Sequence, residues 1–269
     1  MRGAASASTP EESDGAEPRN PVRTKEKKTL TMAMIGLWLA MPEPLVVEAA
    51  ARSRPDWVGL DLQHGGWDLG TAFRGIQLLD ALGMAALVRV SEQELELIPR
   101  VLDHGASGVI IAMASSTALV EEAVRRARYQ PEGVRSYGGQ RYGMRPAPDV
   151  VSEIRPRIYP MIEDRRGVAD IASIAAVKGI AGLHIGPVDL GLGLGLSRDD
   201  PAYADALHKI VAAGHAAKVP VTMHAVRADQ ASRWLEMGFD ELVLTADIEL
   251  LRAAFGTAVE QARRLSIPR

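Results

Sequence analysis

Eight times along this chain a short apolar run gives way to a segment with helical spacing, and no other feature limits its folds as tightly. The runs are AMIGLWLA, DWVGLDLQ, AALVRV, SGVIIAMA, RIYPMIE, AGLHIGP, VPVTMHAV and DELVLTA. Runs that are apolar nearly throughout belong to strands covered on both faces, as in parallel sheets overlaid by helices. Eight such units in 269 residues fit an α/β fold of the (β/α)8 TIM-barrel type better than a doubly wound sheet. Three places break the rhythm. Pro99 interrupts the third helix, and a polar stretch, PEGVRSYGGQRYGMRPAPD, precedes the fifth strand. GPVDLGLGLG after the sixth strand reads as a glycine-rich loop that lets backbone approach a ligand. It is no dinucleotide fingerprint, because Gly191, Gly193 and Gly195 lack the G-x-G-x-x-G spacing.

Residues 1–28 carry small and charged side chains without an apolar stretch, so they read as a disordered tail rather than a signal peptide. One catalytic barrel over residues 29–269 follows. The chain has no cysteine, which removes disulfides, thiol nucleophiles and thiolate metal sites. A net charge of −3 points to neither nucleic acid nor a membrane surface. No apolar run reaches the ~20 residues that span a bilayer. A cytoplasmic protein acting on a small molecule is the expectation.

In a barrel of this type the chemistry gathers at the C-terminal ends of the strands. There the second strand carries Asp61, Gln63 and His64, the third Arg89, and the fifth Glu163, with Asp189 just past the sixth. Glu163 and Asp189 lie about one βα repeat apart, which places them on neighbouring strands at one rim. Two such carboxylates can hold a divalent cation through oxygen, share acid and base roles, or pair with arginines at the rim. Lysine occurs only at 25, 27, 28, 178, 209 and 218, never in a strand, so Schiff-base chemistry lacks a nucleophile. His184 and His224 fall within strands and read as core or rim histidines rather than ligands; Trp38 and Trp57 read as packing. His104, His208 and His215 read as surface residues. Arg135 and Arg141 are either solvated loop charges or residues that reach a neighbour's active site.

GLWLAMPEP, DWVGLDLQHG, VRV, VLDHGASGVIIAM, YPMIE and IGPVDLGLGLG, in this order, resemble the class II pyruvate-aldolase branch of the aldolase/citrate lyase family. That branch includes 2,4-dihydroxyhept-2-ene-1,7-dioate aldolase and the 2-keto-3-deoxy sugar-acid aldolases. The resemblance runs from about Met34 to the last helix. It implies cleavage of a 4-hydroxy-2-oxo acid to pyruvate and an aldehyde through a metal-stabilised enolate. It also implies a homo-oligomer, trimer or hexamer, with the last helix exchanged between subunits. Glu163 and Asp189 match the ligands of a divalent cation (Mg²⁺, Mn²⁺ or Co²⁺), and Arg89 matches the arginine that holds the pyruvate oxygens. His64 matches a proton-moving histidine, Asp61 a supporting acid, and Asp103 an aspartate that orients the histidine. Asp103 precedes a strand, so it should lie at the base of its own barrel and meet a histidine only across a subunit interface. Gly186, Pro187 and Val188 would offer backbone to the substrate carboxylate, beside a helix N-terminus. Gln63 stands where several relatives have Glu, Met161 where they have Gln, and Gly191 where many have Ser, which bears on the aldehyde. An acyl-CoA lyase of the malyl-CoA or citramalyl-CoA type is the alternative, though no basic cradle for the CoA phosphates is evident. A non-catalytic oligomeric binding protein is the other.

Overall fold

The computed structural model describes residues 33–138, 141 and 147–265, so the expected tail lies outside the described residues. Strands β1 (Met34–Leu39), β2 (Trp57–Asp61), β3 (Ala86–Val90), β4 (Gly108–Ile111), β5 (Arg157–Ile162), β6 (Leu183–Ile185), β7 (Val221–Val226) and β8 (Glu241–Leu244) pair in sequence order. All pairs are parallel, and β8 returns to β1 to close the barrel. The helices α1 (Pro44–Arg52), α2 (Leu69–Ala81), α3 (Leu97–Asp103), α4 (Thr117–Ala127), α5 (Ala147–Glu153), α6 (Arg165–Ala169), α7 (Ile171–Ala175), α8 (Pro187–Leu194), α9 (Pro201–Ala217), α10 (Ala231–Glu236) and α11 (Asp247–Arg264) occupy the connections.

The expected (β/α)8 barrel is therefore present, with local differences. The segment GVADIASIAAVKG is two short helices, α6 and α7, that meet at Asp170. Asp170 keeps its backbone bonds to Arg166 and Ile174, while its carboxylate accepts from the N–H and hydroxyl of Thr117 at the start of α4. Pro99 falls in the first turn of α3, where its missing N–H has no intrahelical acceptor, so it opens the helix rather than breaking one. The polar stretch before β5 contributes α5.

The expected glycine-rich loop after β6 is instead the helix α8. Pro187 opens it and Gly195, at φ 71°, closes it in the left-handed region. Its glycines allow close packing: a Cβ on Gly193 would stand 2.9 Å from the Asp164 Cα. That approach seats α8 on the turn after β5.

Two apolar shells lie between the strands and the helices, one around β1–β4 and one around β6–β8. A third, smaller cluster fills the barrel interior: Trp38, Trp57, Leu87, Ile110, Tyr159, Met161 and Val243. The two indoles span it over glycines of adjacent strands; a Cβ on Gly36 would meet Trp57 at 2.6 Å, and one on Gly59 would meet Trp38 at 2.5 Å. Trp38 and Trp57 pack, as expected.

The ladder has one irregularity. Between β7 and β8 the register runs from Met223↔Leu242 to Val226↔Leu244, which leaves one extra residue on β7. Ala225 sits in this bulge at φ 54°. A non-glycine residue there costs about 1–3 kcal/mol of backbone strain, which the surrounding barrel must offset. No helix among the described residues is long and apolar enough to cross a membrane.

Candidate active site

Alternation along the strands decides which side chains enter the barrel. Two residues beyond the interior Leu87 and Met161, the same face presents Arg89 and Glu163. Arg89 is paired with Asp61 in the β2–β3 ladder. These three side chains are buried at the C-terminal mouth, with exposures of 8%, 3% and 4% for Arg89, Glu163 and Asp61.

Asp61 is fully engaged. Its Oδ1 accepts from Arg89 Nε at 2.8 Å and from the backbone N–H groups of Gln63 and His64, each at 3.1 Å. Its Oδ2 accepts from Arg89 Nη2 at 2.6 Å and from Trp38 Nε1 at 3.3 Å. Burial raises the Asp61 pKa, but the Arg89 hydrogen bonds and charge, with the His64 N–H and Trp38, outweigh it and hold the acid below its ordinary range. The second strand thus ends in Asp-Leu-Gln-His because Asp61 closes the following turn on itself and locks one edge of Arg89. The guanidinium also lies 5.3 Å from the Trp38 ring centroid. No hydrogen bond from its Nη1 is found among the described residues.

Glu163 is the opposite case. Oε1 accepts from the Met113 N–H at 2.6 Å, and no hydrogen bond to Oε2 is found among the described residues. Burial pushes its pKa up to about 7; the Asp189 and Glu92 charges add to the rise, while the Met113 N–H and Arg89 oppose it. Gly186 is required beneath it, since a Cβ there would fall 2.0 Å from Oε2. Met113 itself is held at φ 51°, a sparsely populated conformation for a side-chain-bearing residue that aims its N–H at the carboxylate. Sequence reasoning missed Met113, because a backbone donor leaves no mark on residue type.

Asp189 stands exposed on the first turn of α8, next to exposed Val188 and buried Gly186 and Pro187. The N–H groups of Val188 and Asp189 lie in that turn and have no acceptor within the helix. His64 is exposed on the rim turn after β2, and the neighbouring Gln63 keeps its Oε1 buried without a partner among the described residues. Asp103 does not join this group. It ends α3, ahead of β4 and so at the opposite face, where it takes the Arg135 Nε and Nη2 at 3.0 and 2.5 Å. Arg135 is buried and packs over Tyr129, so it is not a solvated loop charge, whereas Arg141 pairs with Asp80 at the surface. His104 stacks face to face on Phe73 at 3.4 Å between centroids. Among the described residues no lysine lies in a strand, and no three His, Cys, Asp or Glu side chains gather as a ready metal cluster.

His184 and His224 were expected as core or rim residues, and they are joined. His184 Nε2 lies 3.1 Å from His224 Nδ1. His184 is wholly buried, whereas His224 is partly exposed and meets the Trp38 ring edge-on at 4.3 Å.

Comparison with known proteins gives the family of the chain. The model of the HpcH/HpaI aldolase/citrate lyase family matches residues 34–254. The chain is 32% identical over 243 residues to a hydroxypyruvate/pyruvate aldolase of Pseudomonas aeruginosa, covering 85% of this chain and 88% of that one. It is 29% identical over 240 residues to a 5-keto-4-deoxy-D-glucarate aldolase of Klebsiella pneumoniae, covering 87% and 94%. A crystal structure of an HpcH/HpaI aldolase from Desulfitobacterium hafniense superposes with a TM-score of 0.80 at 26% identity, over 87% of this chain and 94% of that one. The chain belongs to the HpcH/HpaI aldolase/citrate lyase family.

Proposed function

We propose that this enzyme is a divalent-metal-dependent aldolase that joins and splits a small 2-oxo acid, of the pyruvate or hydroxypyruvate type, and an aldehyde. The observation that carries the reading is Glu163: a buried carboxylate with one oxygen unpaired among the described residues, on which the charges of Asp189 and Arg89 both act. A carboxyl destabilised as an anion by burial and a neighbouring acid is one that a cation would relieve. Glu163 and Asp189 offer oxygen alone, which suits a hard divalent ion such as Mg²⁺ or Mn²⁺ and leaves positions for substrate. When bound, that ion supplies Lewis-acid polarisation of the 2-oxo group.

The chain's own residues supply the rest. Arg89, held in orientation by Asp61, presents its other edge to the 2-oxo oxygen, where negative charge grows as the carbon–carbon bond breaks. The Val188 and Asp189 N–H groups at the start of α8 receive the substrate carboxylate. His64 at the rim accepts the 4-hydroxyl proton as the aldehyde leaves. Gln63, one residue before it, borders the aldehyde side.

A homo-oligomer belongs to the same reading. The last helix, α11, exposes Ile248, Leu250, Phe255 and Val259 at 47%, 53%, 67% and 48%. Beside its first turns an apolar groove of about 380 Å³ opens between β1 and α1, lined by Leu45, Val46, Ala49 and Leu251. A second copy's α11 covers that groove. Asp103, at the base, then serves a mouth other than its own.

The test is pyruvate or hydroxypyruvate release from a panel of 4-hydroxy-2-oxo acids, before and after exhaustive chelation. Release that stops on chelation and returns with Mg²⁺, Mn²⁺ or Co²⁺ supports the reading; release that survives chelation, or a borohydride-trapped lysine, refutes it.

A further inference from the structure

His224 is an inward residue of β7, two beyond the buried Thr222. It reaches the same end of the barrel as Asp61 and Arg89, and both of those charges act on it. The bulge at Ala225 immediately follows it, with that residue at φ 54°. Bulges at barrel rims re-aim side chains, and here the strained position directs an imidazole against Trp38.

Its protons can be assigned by accounting. His184 is wholly buried, and its Nδ1 has no partner among the described residues. A buried orphan N–H costs more than a buried orphan lone pair. The His184 proton therefore sits on Nε2 and is donated to His224 Nδ1, which must be bare. His224 then carries its own proton on Nε2, the ring nitrogen away from His184. Burial, then the Arg89 charge, depress the His224 pKa to about 3, against a smaller opposing effect of Asp61. Burial, His224 and Arg89 hold His184 well below its usual range. The pair stays neutral, so His224 offers a fixed, uncharged N–H donor beside Arg89.

An apolar interior of Trp38, Trp57, Met161 and Val243 lies under this donor. A methyl group resting there needs no hydrogen bond. With the carboxylate and 2-oxo oxygens assigned to α8, Arg89 and the acid pair, the one remaining carbon of the oxo acid is C3. We propose that His224 contacts the substrate, donating from Nε2 to a hydroxyl on C3, and so favours 3-hydroxylated 2-oxo acids over pyruvate. His184 is the positioning residue that fixes its tautomer. This rests on the aldolase reading above.

The experiment measures kcat/KM for hydroxypyruvate and for pyruvate with one common aldehyde, using the metal-loaded full chain. His224→Leu should lower the hydroxypyruvate-to-pyruvate preference about tenfold or more, because a site built around a hydroxyl loses discrimination with its donor. His224→Gln, which keeps an N–H near the Nε2 position, should restore part of that preference. His184→Phe should lower it as well, with rescue by His184→Gln. Equal losses on both acids in His224→Leu, with no rescue by Gln, would overturn the proposal. Binding of each acid, followed by titration calorimetry on wild type and His224→Leu, separates the two readings. If no aldehyde is turned over by wild type, the aldolase reading fails, while selective weakening of hydroxypyruvate binding still supports the contact and equal binding sinks it.

Discussion

Among the described residues two glutamates are buried, and they live in opposite circumstances. Glu241, at the start of β8 near the base, is 2% exposed, and both its oxygens are occupied: Oε1 accepts from the Tyr159 hydroxyl at 3.4 Å and Oε2 from the Thr222 hydroxyl at 3.0 Å. Glu163, at the mouth, is equally buried at 3% exposure but has one backbone donor and an acidic neighbour. Burial raises both pKa values. At the base two hydroxyl donors and the Arg157 charge offset part of that cost and occupy both oxygens, so the glutamate belongs to the packing. At the mouth the Met113 N–H and the Arg89 charge offset only part of the cost, and the carboxyl stays raised to about 7, the condition from which a cation site is proposed there.

Four experiments press on that contrast. The largest effect should come from Glu163→Ala, which should lower aldol cleavage by on the order of 10³-fold, as loss of a principal electrostatic group does. The variant should keep its fold, and Mg²⁺, expected to raise the melting temperature of wild type, should leave that of the variant unchanged. A fully active Glu163→Ala protein would erase the distinction between the two acids.

Arg89→Lys should cost about 10²-fold in kcat, because an ammonium cannot hold Asp61 with one edge and substrate with the other. Steady-state kinetics on the variant checks this; near-normal turnover would move the role elsewhere.

Gly186→Ala sharpens the contrast without touching a charge. Its Cβ would strike Glu163 Oε2, so activity should fall about tenfold while thermal stability changes little, an expectation read from parallel kinetics and melting.

The smallest effect on activity should come from the base. Glu241→Gln should leave turnover within about twofold, because the residue touches packing alone. Its signature is pH dependence. The folded pKa of Glu241 is raised above the usual 4.5, so the stability it contributes is full below about 4.5 and lost as pH rises through the folded value. Denaturant melts from pH 4 upward should show wild type losing that increment and the Gln variant running flatter. Parallel curves would remove the carboxyl from the stability account.

The chain by itself determined the strands, their order and the rim on which Asp61, Arg89, Glu163 and Asp189 gather. Apolar runs at regular intervals are local signals, and a strand's end is legible wherever a polar residue stops such a run. Three readings were open or mistaken until the chain was folded. The glycines after β6 suggested a loop, yet their closeness to the β5 turn lets them form a helix; that closeness is a property of two distant segments. His184 and His224 were two strand histidines, and the fold brought them into contact beside the bulge at Ala225. Asp61 and Arg89 were legible as neighbours, but that the acid consumes one edge of the guanidinium was not, nor was the Met113 N–H that grips Glu163. Residue type and spacing specify which face a side chain takes. Which hydrogen bonds it spends, and which it keeps for a ligand, is decided by cross-strand register and by backbone donors that the sequence does not display.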